Sequence, residues 1–310
     1  MDTQMKRGRP GDFGRGEHAI DDAELAAIEG RNPKHLEIAM KIKKILDSDD
    51  YEPPILPEVA LSLTQMANRP DVDFHQVEKV VSKDPLVAAK IVAVANSAFY
   101  SRGQPVRSLN VAIARLGLAA VRDVAFQVVA QTTIFKVAGY ATRMRELYAA
   151  AQLSGILARE ICVRLKYESE MAYLCGLLHD MGEAIILGIV AGICKKDKAE
   201  LLPLATLAPA VDALHTQVGA RICESWGLPP ILSNAVQHHH RAQVHDDPSS
   251  MTTVIAVTDI LLRHVGAGVP KKPVDPMGEP LFYRLNLTPD QVKSLLVFAE
   301  EAAAGDDMAN

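Results

Sequence analysis

The most apolar part of the chain carries a histidine and an aspartate side by side. In LLHDMGEAIIL, residues 177–187, Leu177 and Leu178 precede His179 and Asp180, and Ala184, Ile185, Ile186 and Leu187 follow shortly after. A stretch this apolar belongs in a core, and a carboxylate buried without a partner is costly enough that such groups are paired, metal-bound or neutralised. The chain must therefore fold so that something meets this pair. The candidates are a metal ion, the two residues themselves, and the helix ends around them.

The rest of the sequence predicts an all-α fold. Of 310 residues 48% are hydrophobic, enough for one large domain or two modest ones, yet only 5% are aromatic. Ala, Leu and Val dominate, a mix that suits helices better than strands. No segment alternates strictly, so no strand is expected. Helical spacing runs through residues 21–48 and stops at YEPPILP, 51–57. Pro57 opens the next helix; Asp73 with Gln76 forms a capping box, and Asp84 with Pro85 a second start. Ser108 caps a helix that Gly117 ends. Further helices are expected over 141–165, 168–190, 212–226, 229–239 and 251–265. Residues 266–280 read as a loop, and Thr288 caps a last helix before the acidic tail GDDMAN. No fixed-period repeat is present.

A net charge of −5 and a pI near 6.1 give no global basic field for nucleic acid or an anionic membrane. Cys162, Cys175, Cys194 and Cys223 form no C-x-x-C pair; they read as buried thiols in a reducing compartment rather than as a metal set. Residues 1–20 form a basic, Gly-rich tail expected to be disordered. Its RGRP, residues 7–10, is similar to an AT-hook core, which lays arginines in the minor groove, but one copy of four common residues reads better as a plain tail. No secretory h-region is seen, and the longest apolar run, 184–194, is too short to span a bilayer. A cytoplasmic protein is expected, with no membrane partner and no nucleic acid.

The residues able to hold a metal are His179, Asp180, His215, His238, His239, His240 and Asp259, on four helical segments. Imidazole and carboxylate together suit Zn, Fe, Mn or Ni. Neighbours on a helix diverge by about 100°, so the pair serves one ion at a helix edge, or one residue orients while the other ligates. Phosphate loops of the G-x-x-x-x-G-K-[ST] or G-x-G-x-x-G type are absent, as is a G-x-S-x-G elbow. Trp226, in WGLP, reads as a helix end packing on the core.

These segments identify the chain as similar to the HDOD family, a branch of the HD-domain superfamily of metal-dependent phosphohydrolases. The resemblance covers roughly residues 50–265. Its N-terminal half rests on ILPEVALSLTQMAN, SKDPLVAAKIVAVANSAFY and PVRSLNVAIARLGLAAVRDVA. The C-terminal half rests on AYLCGLLHDMGEAIIL, HTQVGARICESWGLPPILSNAVQHHH and IAVTDIL. The resemblance implies a helical N-terminal subdomain, 51–137, packed on a degenerate HD-like subdomain, 138–265. A helix over 21–50 precedes them, and a loop, C-terminal helix and acidic tail over 266–310 follow.

The departures from the superfamily shape the functional expectation. Metal-competent HD domains carry a histidine on the helix before the His-Asp motif, and the position aligned with it here is Ala150. No histidine lies between His75 and His179. Glu146, one turn earlier, reads as a surface residue. Active relatives often carry a lysine soon after His-Asp, whereas this chain has Glu183. HHHRAQ, residues 238–243, stands where HD-GYP relatives, which hydrolyse cyclic di-GMP, have HHExxDGxGYP.

The resemblance therefore leaves three readings of the pair. One is a catalytic metal centre. The second is a residual divalent site of His179, Asp180, His215, a member of the His238–His239 pair and Asp259. The third, the expected one, is a metal-free remnant in which these groups hydrogen-bond one another. The implied role is a non-enzymatic signal-transduction module that binds partner proteins, as family members near cyclic di-GMP or two-component pathways do, with a homodimer allowed. A metal-dependent phosphohydrolase and a DNA-associated regulator are the alternatives.

Overall fold

The computed structural model describes residues 33–48, 51–67, 69, 71–101, 103–168, 170–244, 250–267 and 275–306. Among them every regular element is helical. The RGRP segment and the expected helix start near residue 21 lie outside the described residues. Residues 55–135 form one compact unit; the described residues before and after them form a second, larger one.

The larger unit begins with α1 (Pro33–Leu46). The chain then builds the smaller unit from α2 (Glu58–Ala67), α3 (Phe74–Val81), α4 (Pro85–Ala95), α5 (Leu109–Leu116) and α6 (Leu118–Val129). The predicted starts of α3 and α4 are present. Asp73 accepts a hydrogen bond from the His75 backbone N–H at 3.0 Å. Asp84 accepts from Leu86 and Val87 at 2.9 and 3.1 Å, with Pro85 in the first turn. These bonds satisfy backbone donors that a helix start otherwise leaves open. Ser108 sits at the cap of α5 but makes no side-chain capping bond, and Gly117, at φ 77°, separates α5 from α6. Leu63, Val77, Val81, Ile91, Ile113 and Val121 are fully buried and make the core of this unit. Asn96 pins the segment between α4 and α5 by a pair of bonds to the backbone of Val106, at 2.7 and 2.8 Å.

The larger unit continues with α7 (Ala141–Leu165), α8 (Ala172–Leu178), α9 (Met181–Lys196), α10 (Leu204–Ser225), α11 (Pro230–His238) and α12 (Met251–His264), then α13 (Pro280–Arg284) and α14 (Pro289–Asp306). Two of the expected helices come out differently. The single helix expected over 168–190 is two, α8 and α9, broken at His179–Asp180. The helix expected from residue 212 starts at Leu204 and runs through Pro209. A proline there removes one i→i−4 bond, but buried Leu207, Ala210, Val211 and Leu214 carry the apolar stripe across it. Thr288 and Gln291 form the expected reciprocal cap of α14, at 2.8 and 3.3 Å.

By length and composition the stretch Ala172–Lys196 could cross a membrane, with mean hydropathy 1.7, but 67% of its most apolar window is buried inside the protein. Its apolarity is that of a core layer. α1 belongs to the same unit because Ile38, Ala39, Ile42 and Leu46 are buried and α1 packs on α10. Arg221 fastens its end, donating to the Asp47 carboxylate at 2.9 Å and to the Leu46 carbonyl at 3.0 Å. Trp226 is buried, and its indole N–H donates to the Pro54 carbonyl at 2.7 Å.

The four cysteines are free and buried. Burial pushes the Cys162 thiol up to about 12 and raises Cys223 further still, so neither offers a thiolate at neutral pH. Ellman's reagent should find essentially no reactive thiol in the native protein within minutes and four after unfolding. Ile42→Ala should destabilise the larger unit by roughly 2–5 kcal/mol, as truncating a fully buried aliphatic side chain does, measured as a lower urea midpoint.

Candidate metal centre

His179 follows α8, and Asp180 occupies the N-cap position of α9 with φ −102° and ψ 10°. The break has a chemical use. On a continuous helix the two side chains would diverge by about 100°; here His179 Nε2 lies 3.1 Å from Asp180 Oδ2. The Asp180 carboxylate makes no capping bond to α9, which leaves it directed at neighbouring imidazoles.

Two glycines set the approach of the flanking helices. A Cβ on Gly182 would fall on the carbonyl of His215, so only glycine lets α9 cross α10 this closely. That crossing puts His215 Nε2 3.5 Å from Asp180 Oδ1. A Cβ on Gly176 would lie 2.5 Å from the Ser154 carbonyl, which holds α8 against α7. Ser154 Oγ then sits 3.4 Å from His179 Nδ1.

Three imidazoles share one arrangement. His179 Nδ1 is 2.7 Å from the Gly176 carbonyl, His215 Nδ1 2.9 Å from that of Val211, and His239 Nδ1 2.8 Å from that of Val236. A carbonyl only accepts, so each Nδ1 carries the proton and each Nε2 is turned into the cluster. His239 Nε2 lies 3.5 Å from Asp180 Oδ1. The Nε2 atoms of His179 and His239 are buried and in hydrogen-bond geometry with nothing, so their approach to Asp180 is a charge contact. His240 Nε2 lies 3.1 Å from His215 Nε2.

Burial disfavours charge on both members of the His-Asp pair, and their mutual attraction outweighs it. Asp180, with the Gly176 carbonyl and Asp259, raises His179 to about 9. The imidazoles of His179, His239 and His215 hold Asp180 well below the usual carboxylate range.

The ligand atoms of Asp180, His215, His239 and His240 all lie within 4.8 Å of one another. A carboxylate with imidazoles whose Nδ1–H is anchored to backbone is the donor set of a divalent metal. The buried, unbonded Nε2 of His239 is what such an ion would satisfy. The candidates named from sequence thus separate. His179, Asp180, His215 and His239 come together, and His240 joins them. His238, the last residue of α11, is half-buried and outside the group. Asp259, on α12, also lies outside it; its Oδ2 is 3.4 Å from Arg263 Nε, and only its charge reaches His179. In a run of three histidines at a helix end, the sequence has no signal for which two turn inward. The geometry does, because α11 stops at His238 and a 3₁₀ turn, His239–Val244, redirects the chain.

Ala150 is buried on α7 and offers a methyl group. The chemistry α7 does bring is an ion pair that sequence reading passed over. Arg143 grips Glu183 with two bonds, Nε–Oε1 2.7 Å and Nη2–Oε2 3.0 Å, both side chains buried. It also reaches the exposed Glu146 at 3.2 Å. Glu183, one turn after Asp180, is thereby tied to α7.

A wholly helical unit centred on a buried Asp and converging histidines is the class of protein seen here. The HDOD domain family model matches residues 54–242, and the chain belongs to that family. The chain is similar, at 22% identity over 267 residues, to an uncharacterised protein of Treponema pallidum; the match takes in 82% of this chain and 51% of that protein, so the chain spans about half the length of this curated relative. Two solved structures share the fold with a TM-score of 0.67 at 21% identity, each over 88% of this chain. One, from Shewanella amazonensis, is provisionally named a metal-dependent phosphohydrolase and is covered over 98%. The other, from Geobacter sulfurreducens, is an HDOD domain protein of unknown function, covered over 97%. A provisionally named signal transduction protein of Marinobacter aquaeolei has a TM-score of 0.60 at 22% identity, over 94% of this chain and 68% of that one.

Arg143→Ala leaves the Glu183 carboxylate buried and unpaired. It should lower stability by roughly 3–5 kcal/mol in chemical denaturation, with Arg143→Lys recovering only part of that loss. Gly182→Ala should cost roughly 1–3 kcal/mol or more by overpacking the α9–α10 crossing, visible as a lower Tm.

Proposed function

We propose that this chain is a regulatory HDOD module that acts by binding partner proteins and does not hydrolyse phosphate esters. The observation that supports this reading most is what α7 contributes. Where the superfamily resemblance calls for a ligand, it carries Ala150, and it brings to His179 only the Ser154 hydroxyl. Glu183, at the place where active relatives often have a lysine, is a carboxylate held by both oxygens to Arg143. A hydrolytic metal centre needs a bound ion with an open position for water and a group to manage its proton; these substitutions remove parts of both.

The partners this reading favours are signalling proteins of cyclic di-GMP or two-component pathways in the cytoplasm. A divalent ion held by Asp180, His215 and His239 would supply positive charge that cross-links α9, α10 and the end of α11. The second reading, a metal-dependent phosphohydrolase, is favoured by the convergence of those same ligands.

Turnover separates the two. The full chain, loaded in turn with Zn²⁺, Mn²⁺ or Fe²⁺, should hydrolyse neither bis-p-nitrophenyl phosphate nor cyclic di-GMP above a metal-only control. Hydrolysis that His179→Ala abolishes would overturn the proposal.

A further inference from the structure

We infer that His240 closes the cluster into a four-ligand site, Asp180, His215, His239 and His240, for one borderline divalent ion of the zinc type, and that this ion fastens the turn after α11. The inference rests on the non-enzymatic reading in one respect: a closed site is a structural one.

Four ligand atoms within 4.8 Å of one another are the right number, and three nitrogens with one oxygen the right kind, for a tetrahedral ion. Two nitrogens only 3.1 Å apart, His215 Nε2 and His240 Nε2, bring two lone-pair-bearing positions to one point. His239 Nε2 independently marks the centre. It is fully buried, its ring is fixed by the Val236 carbonyl, and it lacks a hydrogen-bond partner. His215 is fixed the same way from Val211. His179 stands beside the second carboxylate oxygen of Asp180, at 3.1 Å, and acts as a positioning residue.

His240 is the exposed member, and it lies on the 3₁₀ turn His239–Val244. An ion that includes it therefore ties that turn to α9 through Asp180 and to α10 through His215. The fourth ligand comes from the turn rather than from α7, where Ala150 stands. A protein ligand in that place leaves a tetrahedral ion no position for water, which accounts for keeping the histidines without the hydrolytic parts.

The test uses the full-length protein, stripped with chelator and titrated with Zn²⁺ and, for its spectrum, with Co²⁺. One ion per chain should bind, and the Co²⁺ form should show the intense visible bands of a tetrahedral site. Zn²⁺ should raise the Tm. His240→Ala should weaken Zn²⁺ binding at least about tenfold, while His238→Ala should change it less than about threefold. The exposed position of His240 leaves the fold intact on truncation, checked by circular dichroism. Absence of stoichiometric binding, equal effects of the two variants, or the weak spectrum of six-coordinate Co²⁺ would each overturn the inference. Failure of the non-enzymatic reading shows separately, as turnover by protein that still binds its ion through His240.

Discussion

The larger unit is organised around one carboxylate that water hardly reaches. Asp180 sits among imidazoles from the end of α8, from α10 and from the turn after α11, and their attraction outweighs the burial that opposes its charge. Much of the surrounding architecture can be read as serving that arrangement. The α8–α9 break turns His179 and Asp180 to one side. Gly182 allows α10 close enough for His215 to arrive. Backbone carbonyls hold three rings by their Nδ1–H, so that their Nε2 atoms converge. A buried polar group of this kind constrains geometry more sharply than apolar packing, because each member must keep its partners.

The two units owe their cohesion to different physics. Residues 55–135 are held by an aliphatic core between short, well-capped helices, with Asn96 clamping the segment that links α4 to α5. The larger unit adds buried polar work to its apolar core: the histidine cluster, the Arg143–Glu183 pair, and Arg221 holding the end of α1. Apolar cores tolerate substitution of similar volume. Paired buried charges do not, since removing one member strands the other.

The sequence made the all-α class legible, since punctuated helical spacing without alternation leaves little else. Caps at Asp73, Asp84 and Thr288 were readable because a side-chain acceptor before a helix start is a local signal. What was not readable depended on distant neighbours. The break at His179–Asp180 carries no Gly or Pro; it follows from how the pair meets α10 and α11. Pro209 suggested a stop, and tertiary burial of the stripe around it prevailed. At the candidate site the residue types and the segments were visible, but choosing His240 over His238 required the 3₁₀ turn, and setting Asp259 apart required α12 in place. Arg143 and Glu183 lie 40 residues apart, and nothing local to either announces the other.

That last pair bears on how the chain can change. Were a lysine to appear at position 183, as many active relatives have soon after their His-Asp motif, its ammonium would meet the Arg143 guanidinium in a space water barely enters. Arg143 would lose its carboxylate partner in the same event. Either position changed alone passes through a poorly folded protein, so the route back toward a hydrolase is closed to single steps. Two substitutions would have to arrive together, with a third at Ala150 before any ligand is regained. The ion pair thus acts as a ratchet, holding the lineage to whatever use the non-hydrolytic form has found.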